Sequence, residues 1–218
     1  MEAGADSGIG GFGGHLQEVS RLNVLLSAAG MEPVSAELSE RFSRYRLLLA
    51  KWNSKLNLSG IRSEDEVLRR HFVECIFCAR QLPSGISTLL DFGSGAGFPG
   101  IPIALCRPEI AVTLAESQMK KSAFLREVIR ELGVEANIHA GRAEDLSSSF
   151  DAVAMRAVDK MNEAVSAAVK LTAPAGILVV MTSKSSEVPE RYAELNWSDP
   201  VSLPYSNQNV LLTARMRS

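Results

Sequence analysis

The chain has 218 residues, 46% of them hydrophobic and 22% charged, with a formal net charge of -2. That is apolar material for one globular domain with a modest appendage, and no apolar run is long enough to span a bilayer, which excludes a membrane-spanning class. Three cysteines, Cys75, Cys78 and Cys106, are too few and too odd in number for a disulfide framework, so free thiols and a cytoplasmic setting are expected.

Met1 to Gly14 is rich in Gly and Ala and lacks the basic start and apolar block of a secretory signal, so residues 1–14 are expected to be a disordered leader. Residues 15–84 read as a helical segment: Leu22, Leu25, Leu26 and then Phe42, Tyr45, Leu48, Leu49 recur at spacings of three and four. Three helices are expected, separated at Gly30-Met31-Glu32-Pro33 and at Leu58-Ser59-Gly60, with Ser63 and Glu66 spaced as a capping box. Charge is segregated here. Residues 1–40 carry one arginine against six acidic side chains, whereas residues 41–80 carry nine Lys and Arg against four, a local charge of +5. Such a patch can hold nucleic acid by displacing counterions from phosphates, or it can be a solvated helix face.

From residue 85 to 218 short apolar runs alternate with helical stretches, the pattern of βαβ units and a mostly parallel, doubly wound sheet. Seven strands are expected, near Thr88–Phe92, Val112–Ala115, Asn137–Ala140, Ala152–Met155, Ile177–Met181, Val201–Leu203 and Val210–Ala214. Helices are expected over Pro99–Cys106, Lys120–Leu132 with Gly133 as its C-terminal cap, Met161–Leu171 and Val188–Leu195.

The most informative stretch is Leu89 to Gly100, where a buried strand ending at Asp91 runs into Gly93, Gly95 and Gly97 and then a helix start. Positions without side chains let a ligand approach the backbone, and the crevice beyond the carboxyl ends of the first strands is where α/β sheets bind ligands. Gly95-Ala96-Gly97-Phe98-Pro99-Gly100 also matches the dinucleotide fingerprint. A carboxylate at the strand end is awkward beside a pyrophosphate but welcome beside the α-ammonium of S-adenosylmethionine, and this sign argument favours the methyl donor.

Glu116 ends the next strand, where it can accept both ribose hydroxyls or cap the helix that follows. Gly141 to Asp145 falls where an adenine edge would be read. Arg156 ends the fourth strand and can hold a carboxylate or phosphate, or form a surface ion pair with Asp159 or Glu144. His71, Cys75 and Cys78 share a helical face but lack a second ligand pair, so no metal is expected. No arrangement for nucleophilic hydrolysis stands out.

Taken together, Tyr45, Lys51-Trp52-Asn53-Ser54-Lys55-Leu56-Asn57-Leu58, Arg70-His71, Gly93 to Pro102, Lys120-Lys121 with Phe124-Leu125, Arg142-Ala143-Glu144 and Arg156-Ala157 resemble the RsmG family, also called GidB. The likeness covers about residues 40 to 184 and implies a Rossmann-like methyltransferase using S-adenosylmethionine on a guanine N7 of bacterial 16S ribosomal RNA in the small subunit. It implies cofactor contacts at Gly93, Phe98, Ala143, Glu144 and Arg156, with Glu116, where the family usually has Asp, in the ribose role. Arg156 is then also the candidate for positioning. The candidate RNA contacts are Lys51, Asn53, Lys55, Asn57, Arg70, His71 and Lys184, with Trp52 expected in the core; a monomer is expected. A small-molecule methyltransferase and a nucleotide-binding module without catalysis are the alternatives to this implied activity.

Overall fold

The computed structural model describes residues 21–61, 63–156, 161–185 and 195–217. Helix α1, residues 21–28, ends at Ala29 and Gly30, and the chain then turns toward α2 (Ala36–Leu56). Ser35 caps α2 by accepting from the Leu38 amide at 3.2 Å, and Phe42, Tyr45 and Leu49 fall on its buried side. Asn57 closes it in the left-handed region, φ 49, a conformation asparagine tolerates better than most residues.

After the Leu58–Gly60 break the helical pattern resumes at α3 (Glu64–Glu66), widens into a π-helical stretch over Val67–Val73, and returns to α-helix in α4 (Glu74–Gln81). The expected capping box does not form, because the Ser63 side chain makes no cap hydrogen bond; its carbonyl takes the Val67 amide at 3.0 Å instead. The wide turn keeps Phe72, Val73, Glu74, Cys75 and Ile76 buried in succession while Arg70 stays exposed. Arg107 donates to the carbonyls of Ala79 and Leu82 at 3.2 and 2.9 Å, which satisfies the end of α4.

The sheet runs β3 (Ala136–His139), β2 (Ala111–Ala115), β1 (Thr88–Phe92), β4 (Phe150–Arg156), β5 (Thr172–Ser183), β8 (Asn209–Met216), β6 (Leu195–Trp197), with β7 (Val201–Ser202) also on β8. The first five strands are parallel; β8 pairs antiparallel with β5, β6 and β7. Alternation along the strands sends Leu89, Val112, Leu114, Ala154 and Val179 into a core shared with α1, α2, α4, α5 (Gly100–Cys106) and α6 (Met119–Leu132). Leu90, Phe92, Val153, Met155 and Val180 meet Ala164, Val165 and Ala168 of α7 (Met161–Leu171) on the other face.

The doubly wound, mostly parallel class holds, with eight strands among the described residues where the sequence suggests seven. Leu195, expected to end a helix over Val188–Leu195, lies instead in β6; residues 188–194 fall outside the described ones, as does the leader at 1–14. Strand β5 extends well before Ile177, and Pro99 caps α5 rather than lying within its first turn.

Candidate active-site cleft

A cleft of about 720 Å³ opens over the carboxyl ends of β1, β2, β4 and β5. Its floor is the loop after β1. Gly93 and Gly95 have φ of 72° and 57°, line the cleft, and a Cβ on Gly93 would meet no atom within 4 Å. Backbone there is bare toward the space a ligand would fill, as the glycine spacing suggests.

Gly97 and Gly100 answer a different constraint. A Cβ on Gly97 would come within 2.6 Å of Ile101 Cδ1 and the Tyr45 hydroxyl, and one on Gly100 would strike Leu114 and Asp91. Gly97 was a candidate cofactor contact; it does not line the cleft, and its lack of a side chain serves packing against α2.

Asp91 also departs from expectation. It is fully buried and does not face the cleft; Oδ2 accepts from the Gly100 amide at 3.1 Å, bracing the start of α5, while Oδ1 is buried without a hydrogen-bond partner among the described residues. Burial pushes its carboxyl up to about 7, against the hydrogen bonds from Ser94 and Gly100 that favour the ionised form. The expected ammonium contact is therefore not one this side chain can make, because the alternation of β1 turns it under the loop.

Glu116 carries the negative group instead. It lines the cleft, with Oε2 accepting from the Gly95 amide at 2.9 Å and Oε1 from the Gln118 amide at 2.7 Å. The two readings of Glu116 coexist: it caps the start of α6, and each pinned oxygen keeps a second lone pair for a diol. The loop is tied to β2 a second time by the Ser94 amide, which donates to the Ala115 carbonyl at 2.9 Å.

Phe98, joined to Pro99 by a cis peptide bond, lies between two rings. His71 stacks on it at 4.6 Å and 11°, Tyr45 at 5.1 Å and 15°, and Phe72 meets its edge at 5.6 Å. The Tyr45 hydroxyl donates to the Ala96 carbonyl, so α2 holds the loop by a hydrogen bond as well as by stacking.

Arg156 reaches the cleft wall from β4, but the partners expected for an ion pair there, Asp159 or Glu144, are not the ones found: Asp159 falls outside the described residues and Glu144 pairs with Arg142. Its guanidinium donates to Glu74 Oε2 at 2.8 Å, the Arg70 carbonyl at 2.6 Å and His71 Nδ1 at 3.2 Å. The Glu74 carboxylate is 1% exposed, and burial pushes its pKa up against the pull of Arg156. Because a guanidinium can only donate, His71 Nδ1 accepts; Nε2 then carries the proton and donates to Ser59 Oγ at 2.7 Å. Burial, Arg156 and Arg70 press His71 down to about 3, so its ring is neutral. Engaged this way, Arg156 is a clamp between β4 and the π-helical turn.

Ala143 and Glu144 form a 3-10 turn after β3, with Ala143 buried in the core and Glu144 paired to Arg142 at 2.8 Å; neither lines this cleft. Among the candidate RNA contacts, Arg70 and His71 do. Asn53 is buried, its side chain accepting from the Ser59 amide at 2.8 Å, and Asn57 is the left-handed cap, so both shape the turn after α2. Lys51 is exposed and 3.7 Å from Glu127, which also takes the Trp52 indole N–H at 3.1 Å; Trp52 packs against the core as expected. Lys55 and Lys184 are exposed. Part of the +5 of residues 41–80 is answered from outside the segment, with Arg41 on Glu37, Arg44 near Glu40 and Lys51 near Glu127, while Arg46 pairs with Glu64 inside it.

The sequence reading missed Ser59, Lys121 and Asn209 as cleft residues. Lys121 had a signal, lying just past the strand tip at Glu116; Ser59 and Asn209 had none, since the tertiary fold brings them there. Among the described residues no group of three His, Cys, Asp or Glu is placed to hold a metal, and no helix is long and apolar enough to cross a membrane.

The family model GidB, rRNA small subunit methyltransferase G, matches residues 38–207. A Ribosomal RNA small subunit methyltransferase G of Neisseria meningitidis serogroup B is 34% identical over 76% of this chain and 80% of its own length. One from Clostridium perfringens is 40% identical over 62% of this chain, and the match spans 59% of that relative. In fold, the chain is similar to the magnesium protoporphyrin IX methyltransferase of Synechocystis PCC 6803 with bound SAM, at a TM-score of 0.52 and 14% identity over 80% of this chain and 97% of that one.

Proposed function

This chain belongs to the GidB family, rRNA small subunit methyltransferase G, and from that premise we propose that it transfers a methyl group from S-adenosylmethionine to N7 of a guanine in bacterial 16S ribosomal RNA. The observation that carries the reading is the open cleft over Gly93 and Gly95 with the Glu116 carboxylate pinned at its edge. The donor set fits the cofactor: bare backbone for close approach, a carboxylate with free lone pairs for a ribose diol, and Phe98 as an apolar wall. With Asp91 buried, the sign argument against a pyrophosphate loses its carboxylate; Glu116 suits the ribose of either nucleotide, and the preference for S-adenosylmethionine rests on the family.

The bound cofactor supplies an electrophilic methyl on a sulfonium, and guanine N7 has its own lone pair, so no proton need be removed first. What the protein contributes is alignment and a fixed electrostatic setting. Glu116, held by two amides, orients the nucleoside end, and Tyr45 and His71 hold Phe98 and thereby the loop. Arg156, with Glu74 neutralising it, fixes the wall between cofactor and acceptor. Arg70 and Lys121 line the cleft and have no ion-pair partner among the described residues, and with exposed Lys55 and Lys184 they offer the phosphate contacts of an RNA substrate.

Transfer of tritiated methyl groups to small-subunit particles from cells lacking the modification, followed by nucleoside analysis, tests the reading. 7-Methylguanosine is expected; another methylated nucleoside, or none, overturns it. Reversing the charge of Lys55, Arg70 and Lys121 together is expected to abolish transfer to RNA while S-adenosylhomocysteine still binds.

A further inference from the structure

The far wall of the cleft carries a polar group that the cofactor half does not use. Asn209 opens β8, in register with Ser183 at the end of β5, and lines the same cleft as the glycine loop. From β1 to β8 is three strand steps through β4 and β5, about 14 Å at the ordinary spacing near 4.8 Å, so Asn209 lies at the opposite end from Gly93.

Its amide orientation is set by its neighbour. The Asn209 side-chain nitrogen donates to Glu74 Oε1 at 3.4 Å, and Glu74 is held in turn by Arg156, so the amide carbonyl is directed away from Glu74. That carbonyl oxygen has no hydrogen-bond partner among the described residues, and the residue is half-buried. A fixed, partly desolvated acceptor selects a ligand edge that presents a donor, and it penalises one that does not.

We propose that Asn209 is a specificity-determining residue that reads the acceptor base, its carbonyl accepting from the exocyclic 2-amino group of guanine. This inference rests on the guanine-N7 reading above. The chemistry is consistent on both sides of the ring. The 2-amino group and N7 lie on opposite edges of a purine, so a base held by Asn209 on one edge turns N7 back across the cleft toward the glycine loop and the methyl donor. Adenine has no donor at that position, and Glu74 prevents the amide from flipping to suit it.

The test uses small-subunit particles reconstituted on rRNA with guanosine or inosine at the methylated position, located by nucleoside mapping of the wild-type product. Inosine keeps N7 and lacks only the 2-amino group. Wild type is expected to prefer guanosine by about tenfold in kcat/KM, as for one lost hydrogen bond to a desolvated acceptor, and Asn209→Ala to bring the ratio near unity. The ratio compares two substrates on one enzyme sample, so it is indifferent to the fraction that folds. S-adenosylhomocysteine affinity is expected to be unchanged. Equal use of both substrates by wild type, or the same ratio in the variant, overturns the role of Asn209 and leaves the methyltransferase reading standing; no methyl transfer to the guanosine particles overturns both.

Discussion

The hydroxyl of Tyr45 donates to the carbonyl of Ala96, joining the middle of α2 to the glycine loop across 51 residues of sequence. The helical segment thus helps build the cleft floor. It does so through a hydroxyl that a Cβ on Gly97 would displace and a ring that Phe98 stacks on.

Tyr45→Phe removes the donor and keeps the ring. The Ala96 carbonyl is left buried and unpaired, at a cost of about 1–3 kcal/mol. If the loop depends on this bond, calorimetry with S-adenosylhomocysteine will show affinity falling several-fold, while the Michaelis constant for RNA stays put. Cofactor affinity identical to wild type would show that stacking alone shapes the loop.

Glu116→Gln places an amide nitrogen against one of the two backbone N–H groups that the carboxylate now satisfies. Losing charge-assisted bonds worth about 1.5–3 kcal/mol each should weaken cofactor binding at least tenfold, with Glu116→Asp falling between. Titration with S-adenosylmethionine reads this directly, and an unperturbed dissociation constant would remove Glu116 from the site.

The buried pair of Glu74 and Arg156 should behave asymmetrically. Glu74→Ala strands the guanidinium and is expected to cost about 3–5 kcal/mol in urea unfolding, whereas Glu74→Ala with Arg156→Met should recover part of that loss. Additive effects of the two single changes would contradict the clamp.

Two buried groups pull the pH dependence of stability in opposite directions. His71 stays neutral in the fold down to about 3 but titrates near 6.5 when unfolded, so its contribution is present above 6.5 and lost as pH falls toward 3. Asp91 is protonated in the fold up to about 7 but ionises near 3.9 when unfolded, so its contribution is present at low pH and lost as pH rises toward 7. Between about pH 4 and 6.5 the slopes oppose. Asp91→Asn should gain on wild type from pH 4 to 8, by on the order of 4 kcal/mol, and His71→Gln should gain as pH drops from 6.5 to 4. Urea midpoints that run parallel to wild type across that range would refute both assignments.

Local chemistry was legible in the sequence because it is written in neighbouring residues. The short apolar run at Thr88 to Phe92 gave β1 at its observed bounds, the helical spacing gave Met161–Leu171, and bare glycines at 93 and 95 marked the cleft floor. The family followed from motifs spread over most of the chain. What the sequence could not decide was which side of a strand or turn each polar group takes, since that depends on the layer packed against it. Asp91 and Glu116 each follow an apolar strand run, yet β1 turns Asp91 beneath Gly100 while Glu116 lies at the cleft edge. The basic count of residues 41–80 likewise omitted the carboxylates that folding brings alongside. Arg156 met Glu74, 82 residues away, and Asn209 met the same carboxylate across 135, because only strand order and helix packing set distances of that kind.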